Sequence, residues 1–376
     1  MGGKICILTT VHANNDNRVY YKEVCSARKD FDVVYIAPEL ENRKEGNYET
    51  IGVKTAHSPL QRLQNVFRAF WYVKNTHCDI CHFQDPELVV TGLLLKMFTK
   101  IKVIYDVHED YPDQILTKYY LKNWIRKPLY KLMVRFEKMA DKHFDGIVVA
   151  DNYVVKHFSN PNTVIAFNYP DTATIDRALN GVERKQKDFD LIYPGSMNKH
   201  MIEIIVKAAA LIKKQGCEIK VLLISPFKMA GGIDWVKEQI KEAGLSEESF
   251  TLMKRIPPDQ VPKYIVRSKV GVIPLPDTKK MRQNIPTKLF EYMYCGIPVV
   301  ASNLPPTAQF FKGAPFGFLA DPNDAGEFAT YIKQLLDSTT LREEYGTNGH
   351  TQVANGYNWK TEYSKICNLY CKLLNK

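Results

Sequence analysis

Two successive α/β domains, each built on an open, parallel sheet, are predicted by three features of this sequence. Short apolar runs alternate with polar turns and amphipathic segments, beginning with KICILTT and VHANNDNRVYYKEVCSA. The series halts in a polar stretch without a convincing strand, DTATIDRALNGVERKQKD, and restarts at DFDLIYPGSM. A chain of 376 residues is also long for one compact core. The domains are expected at 1–170 and 188–358, joined by a linker.

In the first half, KICILTT, DVVYIAP, CDICHF, KVIYDV and DGIVVA have the character of buried strands, and TVIAFNYP is the last before the break. Asn14, Asn15, Asp16 and Asn17 follow the first strand, and these residue types suit a turn with left-handed backbone. After CDICHFQ, Asp85 is expected to cap a helix, with Pro86 as its first residue and Glu87 complementing the dipole. His82 is expected to be a strand-end histidine rather than a catalyst. KVIYDV delivers His108, Glu109 and Asp110 to a loop at its C-terminal end, where open α/β sheets gather their ligands.

From Lys118 to Lys142 the chain is basic and aromatic, with Tyr119, Tyr120, Trp124 and Tyr130 among eight cations. Such a segment suits peripheral contact with anionic headgroups, and equally a solvated helix packed through Leu129, Leu132, Met133 and Phe136.

In the second half, Gly195 and Ser196 form the turn after DFDLIYP, and Ile202, Ile205, Val206, Ala209 and Ile212 share one face of the next helix. EIKVLLIS, SFTLMKRI and VGVIPLP are further strands, with Lys254 and Arg255 closing the second of these. The most informative stretch is QNIPTKLFEYMYCGIPVVAS, residues 283–302, which is loop, helix, stop and buried strand. Pro286 suits the start of the helix and Gly296 its end. Lys288 and Glu291, three apart, share a face where a cation and free N–H groups meet a phosphate and a carboxylate accepts sugar hydroxyls.

This stretch, together with Tyr105 to Pro112, resembles the retaining, nucleotide-sugar-dependent glycosyltransferases of family 4 (group 1). The resemblance implies the GT-B fold, two Rossmann-like domains facing a cleft, with the C-terminal helix 359–376 crossing back to the first. It implies transfer of a sugar from a UDP- or GDP-sugar to a saccharide or lipid-linked acceptor, with retention and without a metal or other cofactor. His108 would touch the transferred sugar, Glu291 the ribose, and Lys288 the phosphates. Gly195, Ser196, Lys254, Arg255, Gln283, Asn284 and Thr287 would complete the donor site, and Asn17, Asp85 and Glu109 the acceptor side. The sequence departs from the family pattern at three positions: Gln283 replaces the first of two glutamates eight positions apart, and Ser196 and Met201 replace the arginine and lysine of the pyrophosphate site. Lys279, Lys280 and Arg282 are the nearby cations that would restore that charge.

The formal net charge of +10 calls for anionic partners without choosing among them. No recognised nucleic-acid motif accompanies it, so nucleic-acid binding is the weaker alternative, as is a 2-epimerase acting on UDP-GlcNAc, which shares the fold. Cys78 and Cys81 precede His82, but no second cysteine pair stands at zinc-site spacing, and the eight cysteines, most of them in apolar strand-like or helical contexts, are expected to be buried thiols. No apolar run reaches membrane-spanning length and the first residues carry no secretory pattern. A cytoplasmic protein, peripheral at the inner face of the membrane, is expected.

Overall fold

The structure, a computed structural model, describes residues 2–117, 122–184 and 186–375. Lys118, Tyr119 and Tyr120 of the basic segment lie outside the described residues. The chain divides into two compact units, Met1–Asn168 with Trp359–Lys376, and Tyr169–Asn358.

The first unit holds eight strands: β1 (Lys4–Leu8), β2 (Asp32–Pro38), β3 (Arg43–Glu45), β4 (Tyr48–Val53), β5 (Ile80–Phe83), β6 (Lys102–Val107), β7 (Gly146–Val149) and β8 (Thr163–Ile165). They lie in the order β3-β4-β2-β1-β5-β6-β7-β8, parallel except for β3. Alternation along each strand feeds two cores, as a sheet covered on both sides requires. Cys6, Leu8, Phe83, Val103, Tyr105 and Val107 face one core. Ile5, Ile7, Ile80 and Ile104 face the other.

On the first face lie α2 (Pro59–Thr76), α3 (Val89–Phe98) and α5 (Asn123–His143), through Ala69, Phe70, Val73, Leu95, Ala140 and Phe144. On the second lies a helix wound with π geometry over Asn17–Val24 that continues as the short α1 (Cys25–Ala27). A further short helix, α4 (Tyr111–Thr117), follows β6. Among Asn14, Asn15, Asp16 and Asn17 none has positive φ, contrary to expectation. Asp16 instead caps the π segment, accepting from the amides of Arg18 and Val19.

In the second unit, β9 (Phe189–Pro194), β10 (Val221–Ile224), β11 (Phe250–Met253), β12 (Ser268–Ile273), β13 (Val299–Ser302) and β14 (Gly317–Ala320) form a wholly parallel sheet. Its order, β11-β10-β9-β12-β13-β14, is the doubly wound Rossmann arrangement. The helices are α6 (Thr172–Ala178), α7 (Lys199–Lys214), α8 (Gly232–Glu242), α9 (Val261–Ile265), α10 (Thr287–Tyr294), α11 (Pro305–Ala308), α12 (Ala325–Asp337) and α13 (Thr339–Asn355). Two expectations are corrected here. Residues 171–188 are not a bare linker, since α6 lies within them and belongs to the second unit, and the region past Ser302 contains a strand, β14, as well as helices.

The chain then returns to the first unit as α14 (Trp359–Leu373). Trp359 fastens it, donating its indole N–H to the Ser26 hydroxyl at 2.9 Å and to the Lys22 carbonyl at 3.1 Å. All eight cysteines are free thiols, and Cys6, Cys78 and Cys81 are buried in the sheet core. Among the described residues no helix is long and apolar enough to cross a membrane.

Candidate functional site

Strand order in the first sheet reverses between β1 and β5, so the loops after these two strands open a crevice at their C-terminal ends. His12 follows β1 and Asp85 follows β5, and their side chains bridge that point: His12 Nδ1 lies 2.8 Å from Asp85 Oδ1. Asp85 is fully buried and also accepts from the hydroxyls of Thr9 (3.0 Å) and Thr10 (3.2 Å) and the amides of Thr10 (2.5 Å) and Val11 (3.2 Å). Its side chain makes no capping bond to the helical turn Pro86–Leu88, which corrects the expected role. Burial alone would raise the Asp85 pKa, but the bond and charge of His12 outweigh it and hold it below the usual carboxylate range. His12 is depressed by burial and raised more by Asp85, so its net shift is upward. With 28% of its side chain exposed against 1% for Asp85, His12 is the member of the pair that a ligand can reach.

Beside this pair lies a buried charge network. Period two along β6 sends Asp106 to the same face as Ile104, where it meets the π segment. The wide winding turns Arg18, Lys22 and Glu23 all inward, and all three are buried. Arg18 donates to Asp106 at 3.1 Å, to Glu23 at 2.9 Å and to the Ala166 carbonyl at 3.0 Å. Gln84 donates to Glu23 at 2.7 Å. His82, expected as a strand-end histidine, is a buried residue of β5 whose Nδ1 lies 2.5 Å from the Tyr370 hydroxyl of α14 and whose Nε2 lies 3.4 Å from Asp106.

His108 completes the network, with Nε2 3.4 Å from Asp106 and 3.7 Å from Glu23, ion-pair distances without hydrogen-bond geometry. Two carboxylates and one guanidinium leave one negative charge, which a protonated His108 cancels. Burial lowers its pKa, yet the Asp106 carboxylate overrides this and pushes it up to about 9. Because the folded value lies above the ordinary 6.5, this stabilisation is complete below pH 6.5 and is lost as pH rises through about 9. The melting temperature is therefore expected to fall across that interval, with a flatter profile for His108→Gln in the same thermal scan. An equal slope in both proteins would remove His108 from the account.

The Glu23, Asp106 and His108 ligand atoms all lie within 4.8 Å of one another, close enough to hold a metal ion. The Arg18 guanidinium, bonded to both carboxylates, already supplies the cation between them.

In the second unit the order reverses between β9 and β12, and Gly195 stands immediately after β9. A Cβ there would come within 2.5 Å of Lys288 Cε and 2.7 Å of Nζ, and its φ of +134° disfavours any other residue. The glycine thus makes room for the α10 lysine, whose Nζ also lies 5.1 Å from the centre of the Tyr193 ring. Burial lowers the Lys288 pKa, Glu291 partly countering it. No carboxylate lies within ion-pair distance of Lys288 among the described residues.

The helix α10 is pinned by Tyr292, whose ring rests against Gly271 of β12, where a Cβ would approach to 2.4 Å. Its hydroxyl donates to the Ile192 carbonyl of β9 at 3.0 Å. Glu291, next to Tyr292, is half-buried, and Gly296 (φ +72°) follows the helix end.

Of the expected donor residues, the structure joins Gly195 with Lys288 and carries Thr287, Lys288 and Glu291 on one short helix. Gln283 and Asn284 lie in the loop before it, while Ser196, Lys254 and Arg255 are exposed at the ends of β9 and β11. Met201 is buried and Lys199 lies over the Trp235 ring at 4.6 Å, so neither replaces the missing phosphate cations. Arg282 is exposed and tied to Asp277 at 2.5 and 2.6 Å. On the acceptor side Asn17 and Glu109 are exposed, and neither joins the Asp85 cluster.

Sequence reasoning missed His12, Arg18, Glu23 and Asp106. One signal was available: Asp106 is a carboxylate inside an otherwise apolar strand, and such a group demands a partner.

Family comparisons agree with this architecture. A model described as glycosyl transferases group 1 matches residues 175–352, and one described as Glycosyltransferase Family 4 matches residues 24–165. The chain is 27% identical over 184 residues to O-antigen chain mannosyltransferase B of Escherichia coli, covering 49% of this chain and 45% of that protein. It is 23% identical over 189 residues to D-inositol 3-phosphate glycosyltransferase of Paenarthrobacter aurescens, covering 49% and 43%. The matched stretch thus spans less than half the length of either relative.

Among solved structures, sucrose-phosphate synthase from Thermosynechococcus elongatus superimposes with a TM-score of 0.72 at 16% identity over 99% of both chains. The Anabaena protein HepE, solved with UDP and glucose, gives 0.67 at 14% identity over 97% of this chain and 98% of its own. These two show the fold. With one family model on each parallel-sheet unit, the chain carries a family 4 and a group 1 glycosyltransferase domain and has the GT-B fold.

Proposed function

We propose that this protein transfers a sugar from a UDP- or GDP-sugar to a hydroxyl of a saccharide or lipid-linked acceptor, with retention at the anomeric carbon. The observation that carries the proposal is the seating of Lys288 over Gly195 at the switch point of the second sheet. A desolvated ammonium with no carboxylate in ion-pair range is matched by a diphosphate, and the free N–H groups at the start of α10 add to it. Glu291, one turn on, accepts the ribose hydroxyls. The charge on the departing diphosphate falls to these groups, so no metal or other cofactor is invoked.

His108, held cationic by Asp106, donates to the transferred sugar. Asp85 acts on the acceptor side through His12, whose imidazole it orients. The O-antigen and inositol names of the relatives support a saccharide or polyol acceptor and a place in cell-surface polysaccharide or glycolipid synthesis. The outward cations of α5 support peripheral contact with an anionic membrane, at the cytoplasmic face. Nucleic acid is not a partner in this scheme.

The test is a melting panel with UDP, GDP, ADP and their sugars, since a ligand bound only by the native state raises its melting temperature. No shift with any nucleotide would reject the proposal. In a turnover assay with the donor so identified, His108→Ala is expected to lower the rate on the order of a hundredfold, as for other lost electrostatic contacts to a reacting group. Binding of the free diphosphate should change little. Equal losses in both would place His108 at the nucleotide or in the scaffold alone.

A further inference from the structure

The helix layer formed by α2, α3 and α5 has an outer surface that nothing in the proposed reaction uses. On α2, Leu60, Leu63, Phe67 and Trp71 recur at spacings of three and four, and Met97 and Phe98 end the neighbouring α3. All six are between 51% and 72% exposed. The two helices are joined there: the Thr91 hydroxyl donates to the Val66 carbonyl at 2.8 Å, and the Phe70 ring lies 5.3 Å from Trp71 and 6.3 Å from Phe98. Aromatic and long aliphatic groups shown together on one surface are unusual for a protein that meets only water.

Charge identifies what covers this surface. From Pro59 to Thr76 there are three cations, Arg62, Arg68 and Lys74, and no acidic residue. Lys74 lies 5.0 Å from the centre of the Trp71 ring, and Lys100 is exposed just past α3. On α5 the outward residues Lys127, Lys131, Arg135, Lys138 and Lys142 form a cationic stripe headed by the exposed Trp124. The acidic residues of that helix do not oppose it. Glu137 is buried and pushed up to about 8 by burial and Asp110, and Asp141 accepts from Ser159 and the Asn160 amide.

Resting on the lipid-linked acceptor reading above, we propose that the Leu60–Leu63–Phe67–Trp71 stripe and Met97–Phe98 insert into the interfacial region of an anionic lipid bilayer, beside the electrostatic contact made by α5. Amphipathic helices with aromatic groups on the apolar face and Lys or Arg flanking it bind anionic interfaces in this way. The acyl-chain boundary takes the side chains, and the headgroups meet Arg68, Lys74, Lys100 and the α5 stripe.

Flotation of the full chain with phosphatidylcholine–phosphatidylglycerol vesicles, and with pure phosphatidylcholine, tests this without any donor present. The parent is expected to float with the anionic vesicles only. The double variant Phe67→Ser, Trp71→Ser keeps every cation, and its partitioning is expected to drop on the order of tenfold or more from the apolar area lost. Lys127→Glu with Lys131→Glu should also weaken flotation, and raised salt should mimic that variant. Circular dichroism melts and the nucleotide melting panel, unchanged in both variants, separate failure here from failure of the donor assignment. Flotation undiminished in the serine variant overturns the proposal. So does a parent dimer, seen by light scattering, that the serine substitutions dissociate, for then the stripe is covered by a second copy of the chain.

Discussion

Replacing Arg18 with methionine is expected to lower the unfolding free energy of the first unit by about 3–5 kcal/mol, the range for breaking a buried ion network by removing one partner. The substitution leaves Glu23 and Asp106, both buried, with only His108 to share as a cation. It also frees the Ala166 carbonyl, which accepts from Arg18 at 3.0 Å. Denaturant unfolding followed by tryptophan emission reports directly, because Trp359 lies 5.3 Å from the guanidinium. Adding Asp106→Asn to Arg18→Met should recover part of the loss, since one of the stranded charges is then removed. A loss under about 1 kcal/mol, the scale of exposed pairs, would show that water reaches the network.

Glu291→Ala is expected to weaken donor binding by about 1.5–3 kcal/mol, as for other hydrogen bonds to charged groups. In dissociation constant that is about ten- to more than a hundredfold. Folding should survive, because α10 is held through Leu289, Phe290, Tyr292 and Met293, all buried, while Glu291 is only half-buried. Calorimetric titration of parent and variant with the nucleotide picked out by the melting panel makes the comparison. Equal affinities with an intact fold would move the ribose site elsewhere.

Both sites follow from one topological rule, and the sequence reached them unequally. For the second unit, the helix stop at Gly296, the apolar face of α10 and the strand Val299–Ser302 were legible because each depends on residues a few positions apart. Pro286 stands at the N-cap position, immediately before the first helical residue, Thr287. For the first unit, His108 was reachable because it ends a recognisable strand. The polar edge strand β3, by contrast, is exposed at all three positions and has no apolar alternation to announce it.

Apart from β3, β4 and β14, the strands, their parallel character and the restart after the polar break were thus determined by the sequence alone, since periodicity and breakers act locally. Tertiary structure decided the rest. Asp85 has the residue type and position of a helix cap, yet its carboxylate turns to a loop 73 residues away, where a histidine, two hydroxyls and two amides outbid the cap. Arg18 and Asp106 are 88 positions apart and meet only because a π-wound helix packs on the face that β6 gives to its even-numbered residues. Gly195 is legible in the sequence as a turn glycine, but only the folded chain lays Lys288 of α10 across it. In each case the choice among locally acceptable states is made by the desolvation of a charge, whose cost depends on partners that only the folded chain brings near.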